Sequence, residues 1–197
     1  ATAIIVNSLP STPTITSKNT TTFCQGGVDT LVSSANSGNQ WYLNGTAISN
    51  ATGNSFIANK SGNYTVTSIN SNQCLSLPSS PFSIIVNSIP LAPKITSINA
   101  TTFCQGGVDT LVSSASSGNQ WYLNGIAITN ATGTSYIANT AGNYLVITIN
   151  SNGCASPISN GILISVNALP SKPSISWDGT QFSTGSTGVT YQWLLNN

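Results

Sequence analysis

The sequence of 197 residues contains no histidine, methionine, arginine or glutamate, and only 4% of its residues are charged. Soluble domains usually carry about 25% charged residues. General acid–base catalysis needs a histidine or two neighbouring carboxyl groups, and the only acids are Asp29, Asp109 and Asp178. We therefore expect no enzyme activity. The net charge of +1 provides no basic surface, so we also predict no binding to nucleic acid.

Long apolar runs are also missing, and none approaches the length of a membrane-spanning helix, so we predict no membrane insertion. No signal-peptide pattern is visible, because Ala1 begins within a strand-like segment. We expect the chain to be an internal part of a longer protein. Calcium takes about six to eight oxygen ligands, and zinc takes a local set of thiolates and imidazoles. With so few acids and no histidine, we predict no metal and no cofactor.

What the sequence does contain is an internal repeat. Residues 21–45 and 101–125 are identical except at one position, Asn36 in the first copy and Ser116 in the second. The same offset of 80 residues relates Ile4, Ile84 and Ile164. Such periodicity fixes the architecture before any other signal. It predicts a last strand of a preceding repeat at residues 1–9, complete repeats at 10–89 and 90–169, and an incomplete, divergent third repeat at 170–197.

Within one repeat the pattern is of short strands between turn residues. Seven strands are predicted in the first repeat, with a strong hairpin turn at Asn44-Gly45. They cover residues 15–17, 28–34, 39–43, 46–49, 55–59, 64–70 and a last strand ending at 84–86. Seven strands in about 80 residues are typical of a β-sandwich, and we predict an all-β chain of tandem immunoglobulin-like antiparallel β-sandwiches in an extended array.

Alternation along these strands assigns one set of side chains to the interior of each sandwich. In the first repeat the set is Leu31, Trp41, Leu43, Tyr64, Val66, Ile84 and Val86. In the second it is Leu111, Trp121, Leu123, Tyr144, Val146, Ile164 and Val166. The junctions between repeats are short and carry prolines, for example Pro10 and Pro13, which restrict the backbone. We therefore expect a semi-rigid rod.

A family resemblance rests on two segments and two flanking cysteines of the repeat. Gly62-Asn63-Tyr64-Thr65-Val66 looks like the Gly-x-Tyr-x-Cys segment of immunoglobulin domains, with Val66 in the place of the cysteine. Together with Trp41-Tyr42-Leu43-Asn44-Gly45 and the flanking Cys24 and Cys74, it resembles the tandem immunoglobulin-like repeats of Bacteroidota cell-surface proteins. Those include the large gliding adhesins and other substrates of type IX secretion. The resemblance implies secretion to the bacterial cell surface and a role in adhesion or display.

The four cysteines, Cys24, Cys74, Cys104 and Cys154, give each repeat two cysteines 50 residues apart. We expect one disulfide within each repeat, in keeping with an oxidising compartment. Strand order, however, places Cys24 and Cys74 towards opposite ends of a sandwich, and a disulfide needs Cα atoms within about 7 Å. A first strand that doubles back, pairing between neighbouring repeats, or free thiols are therefore the alternatives.

Two surface features bear on partners. Asp29-Thr30-Leu31 and Asp109-Thr110-Leu111 resemble the O-glycosylation site of Bacteroidota, which implies glycans on Thr30 and Thr110; the alternative is a plain turn leading into a strand. Tyr42 points outward if Trp41 points inward, and an exposed aromatic ring can stack on sugars. The alternative is that Tyr42 only pairs across the sheet.

These features predict a non-catalytic segment of a secreted bacterial surface protein that acts as an adhesin stalk or adhesive module. Its expected partners are the neighbouring repeats of the same chain, with surface glycans or other cells as further candidates. Two alternatives remain. The repeats could be the spacer of a secreted multidomain enzyme, or they could be subunits of an extracellular filament joined by strand addition.

Overall fold

The computed structural model describes residues 3–4, 6–185 and 189–194, and these residues form strands, turns and irregular segments. The first repeat contains β1 (Ile15–Ser17), β2 (Thr22–Cys24), β3 (Asp29–Ser33), β4 (Asn39–Leu43), β5 (Thr46–Ala47), β6 (Ser55–Ala58), β7 (Gly62–Ser68) and β8 (Phe82–Asn87). The second contains β9 (Ile95–Ser97), β10 (Thr102–Cys104), β11 (Asp109–Ser113), β12 (Asn119–Leu123), β13 (Ile126–Ala127), β14 (Ser135–Ala138), β15 (Gly142–Thr148) and β16 (Ile162–Asn167). In this described part of the chain, no helix has the length and apolar character needed to cross a membrane.

The described chain divides into two compact units. Unit 1 comprises residues 1–92 and 148–157, and unit 2 comprises residues 93–147 and 158–197. The repeats predicted at 10–89 and 90–169 are continuous segments, whereas a loop of the second repeat, residues 148–157, belongs to unit 1. The predicted extended arrangement of the repeats stays a prediction.

In unit 1 the first repeat forms two sheets. One has the strand order β1-β3-β6 and the other β2-β8-β7-β4-β5. Neighbouring strands are antiparallel except β2 and β8, which run parallel. The strands of the second repeat form the same two sheets, β9-β11-β14 and β10-β16-β15-β12-β13. The predicted all-β, immunoglobulin-like sandwich fold is confirmed, and the parallel strand β2 is an addition that the sequence pattern did not predict.

The core of the first sandwich lies between its two sheets, around Trp41. Its indole is fully buried, and its Nε1 donates a hydrogen bond to the carbonyl oxygen of Gly53 at 2.9 Å. The ring of Phe56 lies 5.9 Å from that of Trp41 and 5.8 Å from that of Tyr64. Buried aromatic and aliphatic side chains stabilise a fold by about 1.5–3 kcal/mol each. The core comprises Leu31, Trp41, Ala51, Ala58, Tyr64, Val66 and Ile84.

The second sandwich has a separate core around Trp121, whose Nε1 donates to the carbonyl oxygen of Gly133 at 2.9 Å. Leu111, Trp121, Tyr144, Val146 and Ile164 are all buried, as the alternation predicted. Leu123 and Val166 pack against them, as Leu43 and Val86 do in the first sandwich.

A buried tyrosine fixes one end of each core. The hydroxyl of Tyr64 donates to the carbonyl oxygen of Lys60 at 2.9 Å, and that of Tyr144 donates to Thr140 at 2.9 Å. Burial raises the pKa of Tyr64, and its hydrogen bond with the Lys60 backbone lowers it in part. The neutral phenol is thereby the stable form, and it can donate this hydrogen bond across the ordinary pH range. Each tyrosine ties its strand, β7 or β15, to the preceding turn.

The two ends of the chain differ from the regular repeat. The described residues of the segment 1–9, predicted to be a strand, belong to no strand and are exposed. In the segment 170–197, β17 (Ile175–Trp177) and β18 (Phe182–Thr184) form a hairpin. This pairing corresponds to that of β9 with β11, with a shorter connection. The divergent third repeat thus keeps its first strand pair.

Candidate functional site

The cysteine pairing differs from the expectation of one disulfide within each repeat. Cys24 is bonded to Cys154, 130 residues later, with their Cα atoms 5.6 Å apart. Cys74 and Cys104 are free thiols, the first partly buried and the second exposed. The prediction of bonds joining Cys24 to Cys74 and Cys104 to Cys154 is therefore wrong. Of the alternatives, pairing between neighbouring repeats is observed for Cys24 and Cys154, and free thiols are observed for Cys74 and Cys104.

Strand geometry explains why Cys24 does not reach Cys74. Cys24 lies beside Asn87, the last residue of β8, in the parallel pairing of β2 with β8. Cys74 lies in the loop that precedes β8. A strand of six residues spans about 17 Å at about 3.4 Å per residue, far more than a disulfide can bridge. The two thiols of one repeat therefore lie at opposite ends of β8.

The buried aspartates have a structural role. Asp29 is fully buried, and its Oδ2 accepts a hydrogen bond from the hydroxyl of Ser17 at 2.6 Å. Its Oδ1 accepts one from the backbone N–H of Asn19 at 3.0 Å. Asp109 accepts the equivalent bonds from Ser97 and Asn99. Each carboxylate therefore holds the turn that follows the first strand of its repeat. Within the described residues, no group of three or more Cys, Asp, Glu or His side chains is arranged to hold a metal ion.

The next residue, Thr30, lies on the opposite face of β3 from Asp29 and is partly exposed, as is Thr110 on β11. Thr30 pairs with Ile57 of β6. O-glycosylation of Thr30 and Thr110 stays a prediction.

A groove of about 690 Å³ lies on the outer face of the five-stranded sheet of the first repeat. Its lining contains no charged side chain. Apolar surfaces alternate with amides and hydroxyls along it; the lining residues are Tyr42, Asn44, Gly45, Asn63, Thr65, Thr67, Leu75, Ser76, Pro78, Ser79 and Pro81. Tyr42 is opposite Thr65 in the pairing of β4 with β7, and it is partly exposed, as predicted for a residue that alternates with Trp41.

The groove contains a hydroxyl without a partner. Thr67, the second outward-facing threonine of β7, is only 5% exposed. Its Oγ1 is buried and has no hydrogen-bond partner among the described residues. A buried hydroxyl without a hydrogen bond costs about 1–3 kcal/mol, so such groups are rare in folded proteins. Thr67 thus carries an unsatisfied hydroxyl that is buried beneath the groove.

The segment between β7 and β8 forms one wall of the groove. Ser76 and Ser79 attach it to β7, because their hydroxyls accept hydrogen bonds from the backbone N–H groups of Ser68 and Val66 at 2.9 and 3.0 Å. The Ser76 and Ser79 backbone N–H groups donate to the same two residues at 2.8 and 2.9 Å. This wall carries Leu75, Pro78 and Pro81 and covers Thr67. Sequence inspection missed this arrangement, because nothing in the local pattern shows that serines link the segment to the strand.

The second repeat keeps only part of this lining. Tyr122 and Asn143 correspond to Tyr42 and Asn63. Leu145 and Ile147, however, replace the two threonines of β7, and Gly161 replaces Pro81. The second repeat therefore lacks the buried unpartnered hydroxyl of Thr67, because Ile147 at that position has no hydroxyl.

Comparison with known proteins identifies no family. No family model matches the chain, and no curated protein matches it. Solved structures that match the chain include the human OSCAR ligand-binding domain, which is 13% identical, with a TM-score of 0.34. The match covers 80% of this chain and 100% of that domain.

Proposed function

We propose that the chain is a non-catalytic adhesive module of a secreted, repeat-containing surface protein, and that the groove of its first repeat binds a neutral saccharide. The observation that carries the ligand class is the groove on the outer face of the sheet, with its uncharged lining of an aromatic ring, prolines, amides and hydroxyls. A pocket lined by apolar surfaces with a few convergent polar groups is the usual form of a small-molecule site.

The chemistry of the lining favours a sugar over other ligands. Sugar rings have apolar faces and a rim of hydroxyls, and an aromatic ring such as Tyr42 offers a flat apolar surface with a polar tip. Asn63 supplies an amide that can both donate and accept hydrogen bonds. Asn44, whose Oδ1 already accepts from the backbone N–H of Asn63 at 2.9 Å, supplies its N–H donors. An anionic ligand would need a cation in the lining, and Lys60, the only lysine between residues 19 and 93, does not line the groove.

The non-catalytic part of the proposal is supported by the acids. Asp29 and Asp109 are buried, and each is engaged in hydrogen bonds with its own repeat. General acid–base chemistry needs a titratable group within reach of substrate. These two carboxylates are structural instead. Secretion is supported by the disulfide between Cys24 and Cys154, because such bonds persist mainly in oxidising compartments.

A glycan array probed with the whole chain tests the proposal, with uncharged and anionic oligosaccharides side by side. We expect binding to uncharged glycans only. Calorimetric titration of the best ligand should then show that Tyr42→Ala weakens binding more than about tenfold, the equivalent of about 1.4 kcal/mol. Circular dichroism should confirm that the variant is folded.

Tyr122→Ala is the matched control, because Tyr122 has the same place in the second repeat, where Leu145 and Ile147 replace the two threonines that line the groove. It should leave the affinity unchanged. If no uncharged glycan binds, or if Tyr42→Ala binds as tightly as the parent chain, the saccharide site is refuted.

A further inference from the structure

One disulfide bond joins a cysteine of the first repeat to a cysteine of the second. Cys24 belongs to the first repeat and Cys154 to the second, and the offset of 80 residues makes Cys104 the counterpart of Cys24 and Cys74 the counterpart of Cys154. Each repeat therefore has an early thiol, Cys24 or Cys104, and a loop thiol before its last strand, Cys74 or Cys154. The bond joins the early thiol of the first repeat to the loop thiol of the repeat that follows. The other early thiol, Cys104, and the other loop thiol, Cys74, are free.

The loop that carries Cys154 also makes a hydrogen bond at the same place. Asn150 Nδ2 donates to the carbonyl oxygen of Ser88 at 2.9 Å, and Asn150 Oδ1 accepts from the backbone N–H of Cys154 at 2.9 Å. Ser88 directly follows Asn87, the residue that lies beside Cys24. One asparagine therefore shapes the loop and sets it against the chain segment next to the bonded thiol.

The loop that carries Cys74 is built in the same way. Asn70 Oδ1 accepts from the backbone N–H of Cys74 at 3.0 Å, and Asn70 Nδ2 donates to the carbonyl oxygen of Ser8 at 3.0 Å. Ser8 is the counterpart of Ser88. Both loops have the sequence Asn-Ser-Asn-x-Cys. The Cys74 loop therefore contacts the segment that precedes the first repeat, as the Cys154 loop contacts the segment that precedes the second.

The counterpart of the Cys24 site lies beside the last strand of the second repeat. Cys104 lies beside Asn167 in the parallel pairing of β10 with β16, as Cys24 lies beside Asn87. The backbone N–H of Gln105 donates to the carbonyl oxygen of Asn167 at 2.8 Å, which repeats the bond of Gln25 with Asn87. Ala168 takes the place of Ser88, and the contact at that place uses only a backbone carbonyl. Cys104 is exposed and accessible.

We propose that Cys104 and the backbone of Ala168 form a docking edge for the Asn-Ser-Asn-x-Cys loop of a following repeat in the same polypeptide, and that a disulfide closes the contact. The Cys74 loop is the corresponding donor to a preceding repeat. Bond formation joins the two sulfur atoms, and the two thiol hydrogens pass to a small disulfide oxidant, which leaves as two thiols. An array built in this way has one covalent cross-link at each junction. This inference goes beyond the saccharide site and does not depend on it.

The test uses the whole chain lengthened by one repeat. A second copy of residues 90–169 is inserted after Leu169, with Ser151→Thr in the added copy as a mass marker and Cys104→Ser in the added copy to remove its own docking thiol. The protein is oxidised with glutathione disulfide, its free thiols are alkylated, and disulfide-linked peptides are identified by mass spectrometry. We expect Cys24 bonded to the unmarked Cys154, Cys104 bonded to the marked Cys154, and Cys74 alkylated.

A control chain carries Cys154→Ser in the added copy, and Cys104 should then be alkylated. The native bond between Cys24 and Cys154 reports in the same sample that an established junction has formed. A free Cys104 in the first chain, a bond from Cys104 to Cys74 or to the unmarked Cys154, or loss of the native bond would each overturn the proposal. The readout is independent of glycan binding, so its failure would leave the proposed function standing.

Discussion

Replacing Thr67 by valine should stabilise the first repeat. Valine has nearly the shape of threonine and the same branching at Cβ, so it suits strand β7 equally well. The change removes a hydroxyl that is buried with no hydrogen-bond partner among the described residues. Such a group costs about 1–3 kcal/mol, so we expect a gain of about 2 kcal/mol in the free energy of unfolding. For a domain of this size each kcal/mol raises Tm by roughly 4–8 °C.

Thermal unfolding followed by circular dichroism or calorimetry measures this change. Thr65→Val is the matched control, because Thr65 is on the same face of the same strand but is partly exposed. There the hydroxyl can be hydrated, and the change in stability should stay within about 0.5 kcal/mol. If Thr67→Val lowers Tm, the hydroxyl makes a stabilising hydrogen bond and the reasoning is refuted.

The same substitution separates stability from binding. The Thr67 hydroxyl is buried, so a saccharide in the groove does not reach it. Even a weak net hydrogen bond contributes about 0.5 kcal/mol, which corresponds to roughly a twofold change in affinity. We therefore expect Thr67→Val to change the saccharide affinity less than that while it strengthens the fold, and a larger loss in calorimetric titration would contradict this.

Two further predictions concern the core and the terminal hairpin. Trp41→Ala should destabilise the first repeat by about 3–5 kcal/mol, because it removes a fully buried indole and leaves the Gly53 carbonyl without its donor; an unchanged thermal melt would contradict the core assignment. Hydrogen bonds from Gln181 and Thr180 hold the pKa of Asp178 below its ordinary value of 3.8. The β17–β18 hairpin should therefore be fully stabilised above that value and should lose this contribution as the pH falls through the lowered one. An NMR titration of the Thr180 and Gln181 amides would show it, and Asp178→Asn should remove the pH dependence.

Much of the fold could be predicted from the sequence, because apolar and polar side chains alternate along the strands and so identify the residues that face the interior. Trp41 and Tyr64 stand out as large residues at alternating positions, and Asn44-Gly45 forms the predicted turn, with φ angles of 49° and 80°. These signals are local. A residue's neighbours along the chain are sufficient to assign its face and its turn.

The features that could not be predicted depend on contacts between distant segments. Strand β2 is only three residues long and has no clear alternation, so its parallel pairing with β8 depends on the rest of the sandwich. The position of Cys24 at the end of β8 opposite Cys74 follows from that pairing, so the local sequence pattern could not show which cysteine it bonds. Thr67 resembles an ordinary outward-facing threonine until the segment around Ser76 and Ser79 is placed over it.

The bond between Cys24 and Cys154 also determines which part of the chain carries tension. Residues 25–153 lie inside the covalent loop that this bond closes. A pull on the two flanking segments passes from Cys24 through the two sulfur atoms to Cys154, so the backbone inside the loop, β8 included, is not pulled in series with them. Reduction of the bond returns the load to the backbone, where β2 and β8 lie side by side in the same direction and their hydrogen bonds are loaded together in shear.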